Sequence, residues 1–226
     1  MAVTIIPHSP EWHAFRCGSL GGSDIAAALG RTQRGAWSST RADVATRLLI
    51  ERLTGKPVQT WVSRPMQQGI EREPEARRAY AFRTDNDVEE CDPIRHPAIA
   101  GAHASPDGLV GEEGMVQFKC PQEKAHIALL MGGAVPPEYV MQCQWEMACA
   151  GRQRVWSDFT SYQPDFPASM QLVVRRIERD PEYIAEMEEQ AALFLEEVEM
   201  QFRALKTAYD PMGAFQDAHQ FLVAAE

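Results

Sequence analysis

The sequence predicts an α/β fold, in one domain that spans residues 1–226. A chain of 226 residues, of which 45% are hydrophobic, is long enough and apolar enough to bury a full core. Apolar residues recur at helical spacing through the first part of the chain, and short glycine-separated segments typical of strands begin near Ala98. Helical and strand patterns in one chain of this size favour an α/β architecture.

Helices are predicted where apolar residues recur every three or four positions between capping and terminating residues. The predicted helices cover residues 11–16, 24–29, 40–53, 66–82 and 135–150, and a long one begins at Asp180-Pro181 and carries an apolar stripe to Leu205. Ser23 is the predicted N-cap of the second helix, because its hydroxyl group can accept from a free backbone N–H.

The strand predictions begin with a hairpin. Leu109-Val110 and residues 115–119 flank the turn Gly111-Glu112-Glu113-Gly114. Residues 154–162 and 170–177 are rich in aromatic and β-branched side chains, so they are predicted to be two further strands.

The formal net charge of −10 argues by itself against a nucleic-acid ligand, because phosphate contacts require Lys and Arg. The charge is unevenly distributed, however. Residues 178–199 contain nine acids and one base, whereas residues 16–78 contain eleven bases and six acids. A basic face can therefore coexist with an acidic one, and DNA is not excluded.

Other composition signals exclude some classes of protein. No apolar run reaches the roughly 20 residues that a membrane span requires, and the N-terminal residues do not resemble a signal peptide. We therefore expect a cytoplasmic protein that does not associate with a membrane. The five cysteines form no C-x-x-C pair, which favours buried free thiols over a disulfide framework or a zinc site.

The hairpin carries residues suited to phosphodiester hydrolysis. Gln117 and Lys119 lie two residues apart and therefore point to the same face of a strand, and the turn brings Asp107 beside them. Metal-dependent hydrolysis requires oxygen ligands for Mg²⁺, a group that positions water and a cation near the phosphate. The pattern Asp107, Gln117, Lys119 predicts such a site.

Longer motifs make the pattern specific. The sequence contains, in order, Trp12-His13-Ala14-Phe15-Arg16-Cys17-Gly18 followed by Ser23, then Gly69 to Arg77 with the pattern G-x-x-x-E-x-x-A-R, then Ser105-Pro106-Asp107-Gly108 with Gln117-Phe118-Lys119, and Gln142-Cys143-Gln144. In these segments the chain resembles phage lambda exonuclease and the YqaJ-like viral recombinase family, which includes alkaline exonucleases. The resemblance implies a PD-(D/E)xK nuclease fold, with a mixed central β-sheet flanked by helices.

The resemblance also implies roles for individual residues. Asp107, the residue at position 117, the Phe118 carbonyl and Glu73 would hold Mg²⁺, with Mn²⁺ as a substitute. Lys119 would orient the attacking water, and Gln142 would position water or phosphate. A pocket for a 5′-terminal phosphate would contain Arg16, Ser23 and Ser105, and Met66 would take the place of an apolar residue that wedges the duplex. Glu71 replaces Glu73 as the helix-borne acid if the alignment shifts.

The implied activity is the 5′-to-3′ degradation of one strand of linear double-stranded DNA for phage-type recombination. The implied partners are DNA with a 5′-phosphorylated end, two further copies of the chain in a homotrimer, and a single-strand annealing protein. The implied location is the cytoplasm of a bacterial host cell, with the protein encoded by a phage or prophage.

Gln117 departs from the family pattern, which has a metal-binding glutamate there. An amide contributes a neutral oxygen and no charge, so the chain is predicted to turn over slowly. An engineered Glu→Gln change or a natural substitution could account for it, and the intact remaining motifs favour the first. Two alternative functions stay open: a silent module that binds DNA ends, and a RecB-like or restriction-type endonuclease on the same fold.

Overall fold

The computed structural model describes residues 5–7, 9–32, 34–58 and 63–210. The helices in chain order are α1 (Pro10–Arg16), α2 (Ile25–Ala28), α3 (Ser39–Thr54), α4 (Arg64–Thr84), α5 (Glu123–Leu130), α6 (Pro137–Ala150) and α7 (Pro181–Tyr209). The strands are β1 (Ile94–Arg95), β2 (His103–Ala104), β3 (Gly108–Val110), β4 (Gly114–Lys119), β5 (Trp156–Tyr162) and β6 (Leu172–Glu178). Within the described ranges, no helix is long and apolar enough to cross a bilayer.

Contacts within the chain group its residues into two compact units. The first unit consists of Met1–Gln59, Asp92–Ser105 and Pro181–Glu226, and the second of Thr60–Cys91 and Pro106–Asp180. The expectation of one domain over residues 1–226 stays a prediction.

The second unit is built on a mixed four-stranded sheet in the order β3-β4-β5-β6. The central pair β4 and β5 is parallel, and both outer pairs are antiparallel. The register of the hairpin pairs Gly108 with Val116, which leaves Asp107 directly before β3 and beside Gln117. This register decides which side chains can meet at the end of the hairpin.

The two faces of this sheet differ. Val116 and Phe118 point to one face, where they pack with Ala76 and Tyr80 of α4 in a buried apolar cluster. Gln117 and Lys119 alternate to the other face, and Phe159 is the register partner of Gln117. On that face Phe159 packs with Leu129 of α5, Val173 of β6 and Tyr139 of α6.

The first unit is mainly helical, with β1 and β2 forming an antiparallel pair. Its buried apolar side chains include Ile25 of α2, Leu48 of α3 and Phe194 of α7. Ion pairs join α3 to the long helix α7: Arg41 lies 2.6 Å from Glu197, and Arg52 lies 3.2 Å from Glu199. The paired arginines are almost fully buried, so the pairing compensates for charges removed from water.

The structure confirms the mixed sheet flanked by helices and the predicted hairpin. Gly55, with a φ of 65°, is the C-cap residue of α3, just after the predicted end of that helix. The Ser23 cap is wrong: Asp24 is the N-cap residue of α2, and the Ser23 hydroxyl group accepts from the Arg16 guanidinium instead. The sequence does not predict α5, β1 or β2, because elements this short carry little periodicity.

Candidate functional site

Asp107 and Gln117 are in direct contact at the open end of the hairpin. The Gln117 amide Nε2 donates to the Asp107 carboxylate Oδ2 over 2.5 Å, and the Phe118 backbone N–H donates to the same oxygen over 2.7 Å. The juxtaposition predicted from the spacing is therefore present. We call Glu73, Asp107, Gln117 and Lys119 the hairpin cluster.

Electrostatics tie Glu73 and Lys119 to the same cluster. Burial, and to a smaller extent the charge of Asp107, raise the pKa of Glu73 to about 7, while Arg77 and Lys119 act in the opposite direction. Burial also raises the pKa of Asp107, against the effects of Lys119 and the hydrogen bonds that Asp107 accepts. Carboxyl groups with raised pKa values are typical of functional sites, although structural networks also produce them.

Glu71 and Glu73, the two candidates for the helix-borne acid, have different surroundings in the structure. Glu71 is exposed, and its carboxylate accepts from Gln67 one turn earlier on α4. Glu73 is half-buried and interacts with Asp107 and Lys119. Of these two acids, the geometry favours Glu73.

Arg77 supports Asp107 from α4, a role that the sequence analysis missed. Its Nη2 donates to the Asp107 backbone carbonyl, while its Nη1 is buried without a hydrogen-bond partner. The guanidinium also lies 5.4 Å from the centre of the Phe118 ring. Arg77 belongs to the same sequence motif as Glu73, but the motif alone does not show that Arg77 contacts Asp107.

Gln142 and Gln144 are both buried on α6 but have different surroundings. The Gln142 amide Nε2 donates to the buried carboxylate of Glu146 over 2.8 Å, which orients its carbonyl oxygen away from that acid. Gln144 binds the backbone at the end of β6, donating to the Glu178 carbonyl and accepting from the Asp180 N–H. Gln142 is thus suited to accept a hydrogen bond from water, and Gln144 holds the chain turn.

The oxygen atoms of the hairpin cluster are the type of ligand that a hard divalent cation prefers. Asp107 and Glu73 provide carboxylates, and the Gln117 Oε1 is a buried acceptor that has no hydrogen-bond partner. Within the described part of the chain, no group of three or more His, Cys, Asp and Glu side chains is arranged to hold a metal ion. Gln117 is not one of these residue types, so the set of oxygens fits Mg²⁺ with one negative charge fewer than three acids would give.

A second set of predicted residues meets in the first unit. The Arg16 guanidinium lies 3.9 Å from the centre of the Trp12 ring, and its Nη2 donates to the Ser23 hydroxyl over 3.4 Å. The Trp12 indole N–H donates to the Ser105 hydroxyl over 2.9 Å. The structure therefore brings Arg16, Ser23 and Ser105 together, with Trp12 as the link between them.

His103 lies at the centre of a positively charged environment in this unit. Burial lowers its pKa well below the usual value, and the charges of Arg16, Arg95 and Arg47 lower it further. The absence of a side chain at Gly21 leaves room for the imidazole ring, since a Cβ there would approach the His103 Nε2 to 2.9 Å. We call Trp12, Arg16, Ser23, His103 and Ser105 the arginine cluster, and its charge suits an anion.

The predicted wedge residue, Met66, lies on α4. It occupies the first turn of α4 with 55% of its surface exposed. Exposure on a helix is compatible with the predicted wedge, which stays a prediction.

Comparisons with known proteins identify relatives of this chain. Residues 11–153 match the model of the YqaJ-like viral recombinase domain. The chain is similar to the crystal structure of an alkaline exonuclease (LHK-Exo) from Laribacter hongkongensis, with 39% identity, a TM-score of 0.83, and coverage of 90% of this chain and 100% of that one. The structure of LHK-Exo in complex with dAMP has 39% identity, the same coverage and a TM-score of 0.82.

A more distant structure shows the fold alone. A phage-related exonuclease from Haemophilus somnus 129PT has 13% identity and a TM-score of 0.63, over 83% of this chain and 96% of that one. A search of curated protein sequences gives no significant match. The family match and the 39% identity to a solved alkaline exonuclease show that the chain belongs to the YqaJ-like viral recombinase family and has a PD-(D/E)xK-type nuclease fold.

Proposed function

We propose that this chain is a Mg²⁺-dependent exonuclease that degrades one strand of linear double-stranded DNA from a 5′-phosphorylated end, and that Gln117 slows its turnover. The hairpin cluster is the observation that carries this proposal. It combines two carboxyl groups of raised pKa, a lysine and an unpaired amide oxygen at one strand end. These are the residue types that metal-assisted phosphodiester hydrolysis uses.

Each residue of the cluster has a distinct part in the proposed reaction. Asp107, Glu73, the Gln117 Oε1 and the Phe118 carbonyl would hold Mg²⁺, or Mn²⁺ in its place, and the bound cation would stabilise negative charge on the scissile phosphate. Lys119 orients the attacking water, and Gln142 accepts a hydrogen bond from it. Arg77 keeps the Asp107 backbone in place through its hydrogen bond to the carbonyl.

The arginine cluster supports selection of a phosphorylated 5′ end. Arg16 offers guanidinium N–H groups, and the hydroxyl groups of Ser23 and Ser105 lie within the same network. The similar protein LHK-Exo has been crystallised with dAMP, a nucleotide that carries a phosphate. We propose that the anion bound by the arginine cluster is a terminal 5′-phosphate.

The biological setting belongs to the same proposal and rests on the family. A homotrimer, a single-strand annealing partner and a role in phage-type recombination in a bacterial cytoplasm would fit an exonuclease of this family. Met66 would contact the end of the duplex from its exposed place on α4.

A second candidate function is a DNA-end-binding module without catalysis. The observation that favours it is the hydrogen bond from the Gln117 amide to Asp107, which occupies a carboxylate oxygen that a cation would otherwise use. In this case the arginine cluster would still bind ends while the hairpin cluster stayed inactive.

One set of substrates separates these candidates. Linear duplexes with and without a 5′-phosphate, labelled at each end, are incubated in Mg²⁺ or Mn²⁺ beside a closed circular duplex. We expect slow 5′-to-3′ shortening of the phosphorylated duplex only. Binding to phosphorylated ends without any shortening would indicate the silent module, and cutting of the circle would indicate a RecB-like or restriction-type endonuclease.

A further inference from the structure

We propose that Tyr139 is a positioning residue for Lys119, and that its ring holds the lysine ammonium group at the hairpin cluster. This proposal rests on the proposed function, in which Lys119 orients the attacking water. The Lys119 Nζ lies 5.2 Å from the centre of the Tyr139 ring, within the range of a cation–π contact.

The ring itself is held in place by the sheet. Tyr139 stacks on Phe159 with ring centres 5.3 Å apart and an angle of 24° between the planes. Phe159 is 1% exposed, and it is the strand partner of Gln117 in the parallel pair of β4 and β5. The ring beside the ammonium group is therefore packed on β5, the strand that pairs with β4, and β4 carries Gln117 and Lys119.

A lysine at this place needs such an anchor. Its ammonium group ends a flexible four-carbon stem, and the charges of both Glu73 and Asp107 act on it. A close ion pair with either acid would use the N–H donors of Lys119. The face of an aromatic ring attracts the charge without accepting a conventional hydrogen bond, so N–H donors remain available for water or phosphate.

The composition of the chain allows this contact to be observed directly. The sequence contains four lysines, Lys56, Lys119, Lys124 and Lys206. Labelling lysine at Cε with ¹³C therefore gives a simple spectrum, in which Lys119 is assigned by its loss in Lys119→Ala. A proton above an aromatic face is shifted upfield, so we expect the Lys119 Hε signals to lie upfield of those of exposed Lys124.

The matched variants are Tyr139→Phe, which keeps the ring, and Tyr139→Leu, which removes it. We expect the upfield shift to persist in Tyr139→Phe and to disappear in Tyr139→Leu. A Lys119 shift that is unchanged in Tyr139→Leu would overturn the proposal, whether or not the chain cuts DNA.

The kinetic arm uses the Gln117→Glu chain, which gives a rate large enough to compare. There we expect Tyr139→Leu to lower kcat by about 2-fold to 30-fold, the range of a cation–π contact, with KM unchanged and with Tyr139→Phe close to its parent. Leu129→Ala serves as the control for packing, because Leu129 belongs to the same apolar cluster. It should lower the melting temperature at least as much and leave kcat unchanged.

The kinetic outcomes separate the two proposals. Equal kcat values for the leucine variant and its parent would overturn the positioning role. An absence of hydrolysis in every chain would defeat the proposed function, and the lysine spectra would still decide whether Tyr139 holds the ammonium group.

Discussion

The hairpin cluster and the arginine cluster differ in how completely each matches its expected chemistry. The arginine cluster has its cation, its two hydroxyl groups and an indole that links them. The hairpin cluster has its lysine and two carboxyl groups, but an amide stands where the resemblance implies a third acid. The difference predicts that Gln117 weakens the chemical step and spares recognition of the DNA end.

The two clusters also hold their charges differently. In the arginine cluster, burial and the charges of Arg16 and of the nearby Arg95 and Arg47 lower the pKa of His103 well below its usual value. In the hairpin cluster, burial raises the pKa of both carboxyl groups. Under the proposed function, the arginine cluster would bind an anion and the hairpin cluster would bind Mg²⁺, so substitutions in the two clusters should affect different measurements.

The largest expected effect separates hydrolysis from binding in the hairpin cluster. In the Gln117→Glu chain, Lys119→Ala should lower the hydrolysis rate by about 100-fold or more, because it removes the group that orients water. Affinity for duplex DNA in Ca²⁺, measured by fluorescence anisotropy, should stay within about 2-fold. Lys124→Ala is the matched control, since Lys124 is an exposed lysine on α5. Retained cleavage in Lys119→Ala would remove Lys119 from its assigned role.

A smaller effect is expected from Arg16→Ala in the arginine cluster. Loss of a charge-assisted contact to phosphate should reduce the preference for 5′-phosphorylated over 5′-hydroxyl ends by about 10-fold to 100-fold in competition binding. Arg31→Ala is the control, because Arg31 also stacks on an indole, that of Trp37, with a separation of 3.7 Å. An unchanged preference in Arg16→Ala would show that Arg16 does not contact the phosphate.

The smallest effect concerns stability against pH. The pKa of Glu73 is about 7 in the folded chain, above its ordinary value of 4.5. Its contribution to the free energy of unfolding is therefore complete below pH 4.5 and is lost as the pH rises to about 7. The pKa of His103 is lowered, so its contribution is present above pH 6.5 and is lost as the pH falls.

The Glu73 contribution to stability can be distinguished from the His103 contribution, because the two change in opposite directions with pH. Glu73→Gln should therefore gain stability over its parent between pH 5 and pH 8, on the order of 1 kcal/mol after discounting for solvent screening. The readout is the melting temperature across the pH series. A constant difference between the two chains would mean that Glu73 titrates normally.

The parts of the site that could be predicted from the sequence are those set by local geometry. The spacing of Asp107, Gln117 and Lys119 across a short hairpin fixes their proximity, and the strand alternation fixes the shared face. The family motifs then identified Glu73 and Arg16, which no periodicity would distinguish from solvated surface residues.

The parts that could not be predicted depend on contacts between distant positions. The Trp12 indole N–H donates to the hydroxyl group of Ser105, 93 residues later in the chain. The motif around Trp12 does not predict this hydrogen bond. The Ser23 error has a similar cause: a serine before a helix is a common cap, but here a guanidinium seven residues earlier competes for the hydroxyl group. Tyr139 reaches Lys119 only because β5 places Phe159 beneath its ring.

Under the proposed function, the chain has the groups that bind a DNA end but lacks one negative charge for hydrolysis. The direct test compares this chain with Gln117→Glu on a 5′-phosphorylated linear duplex in saturating Mg²⁺, with single-turnover rates and end affinities measured in parallel. We predict a rate higher by on the order of 100-fold or more for the glutamate chain, with end affinity in Ca²⁺ changed far less. Equal single-turnover rates would contradict the claim.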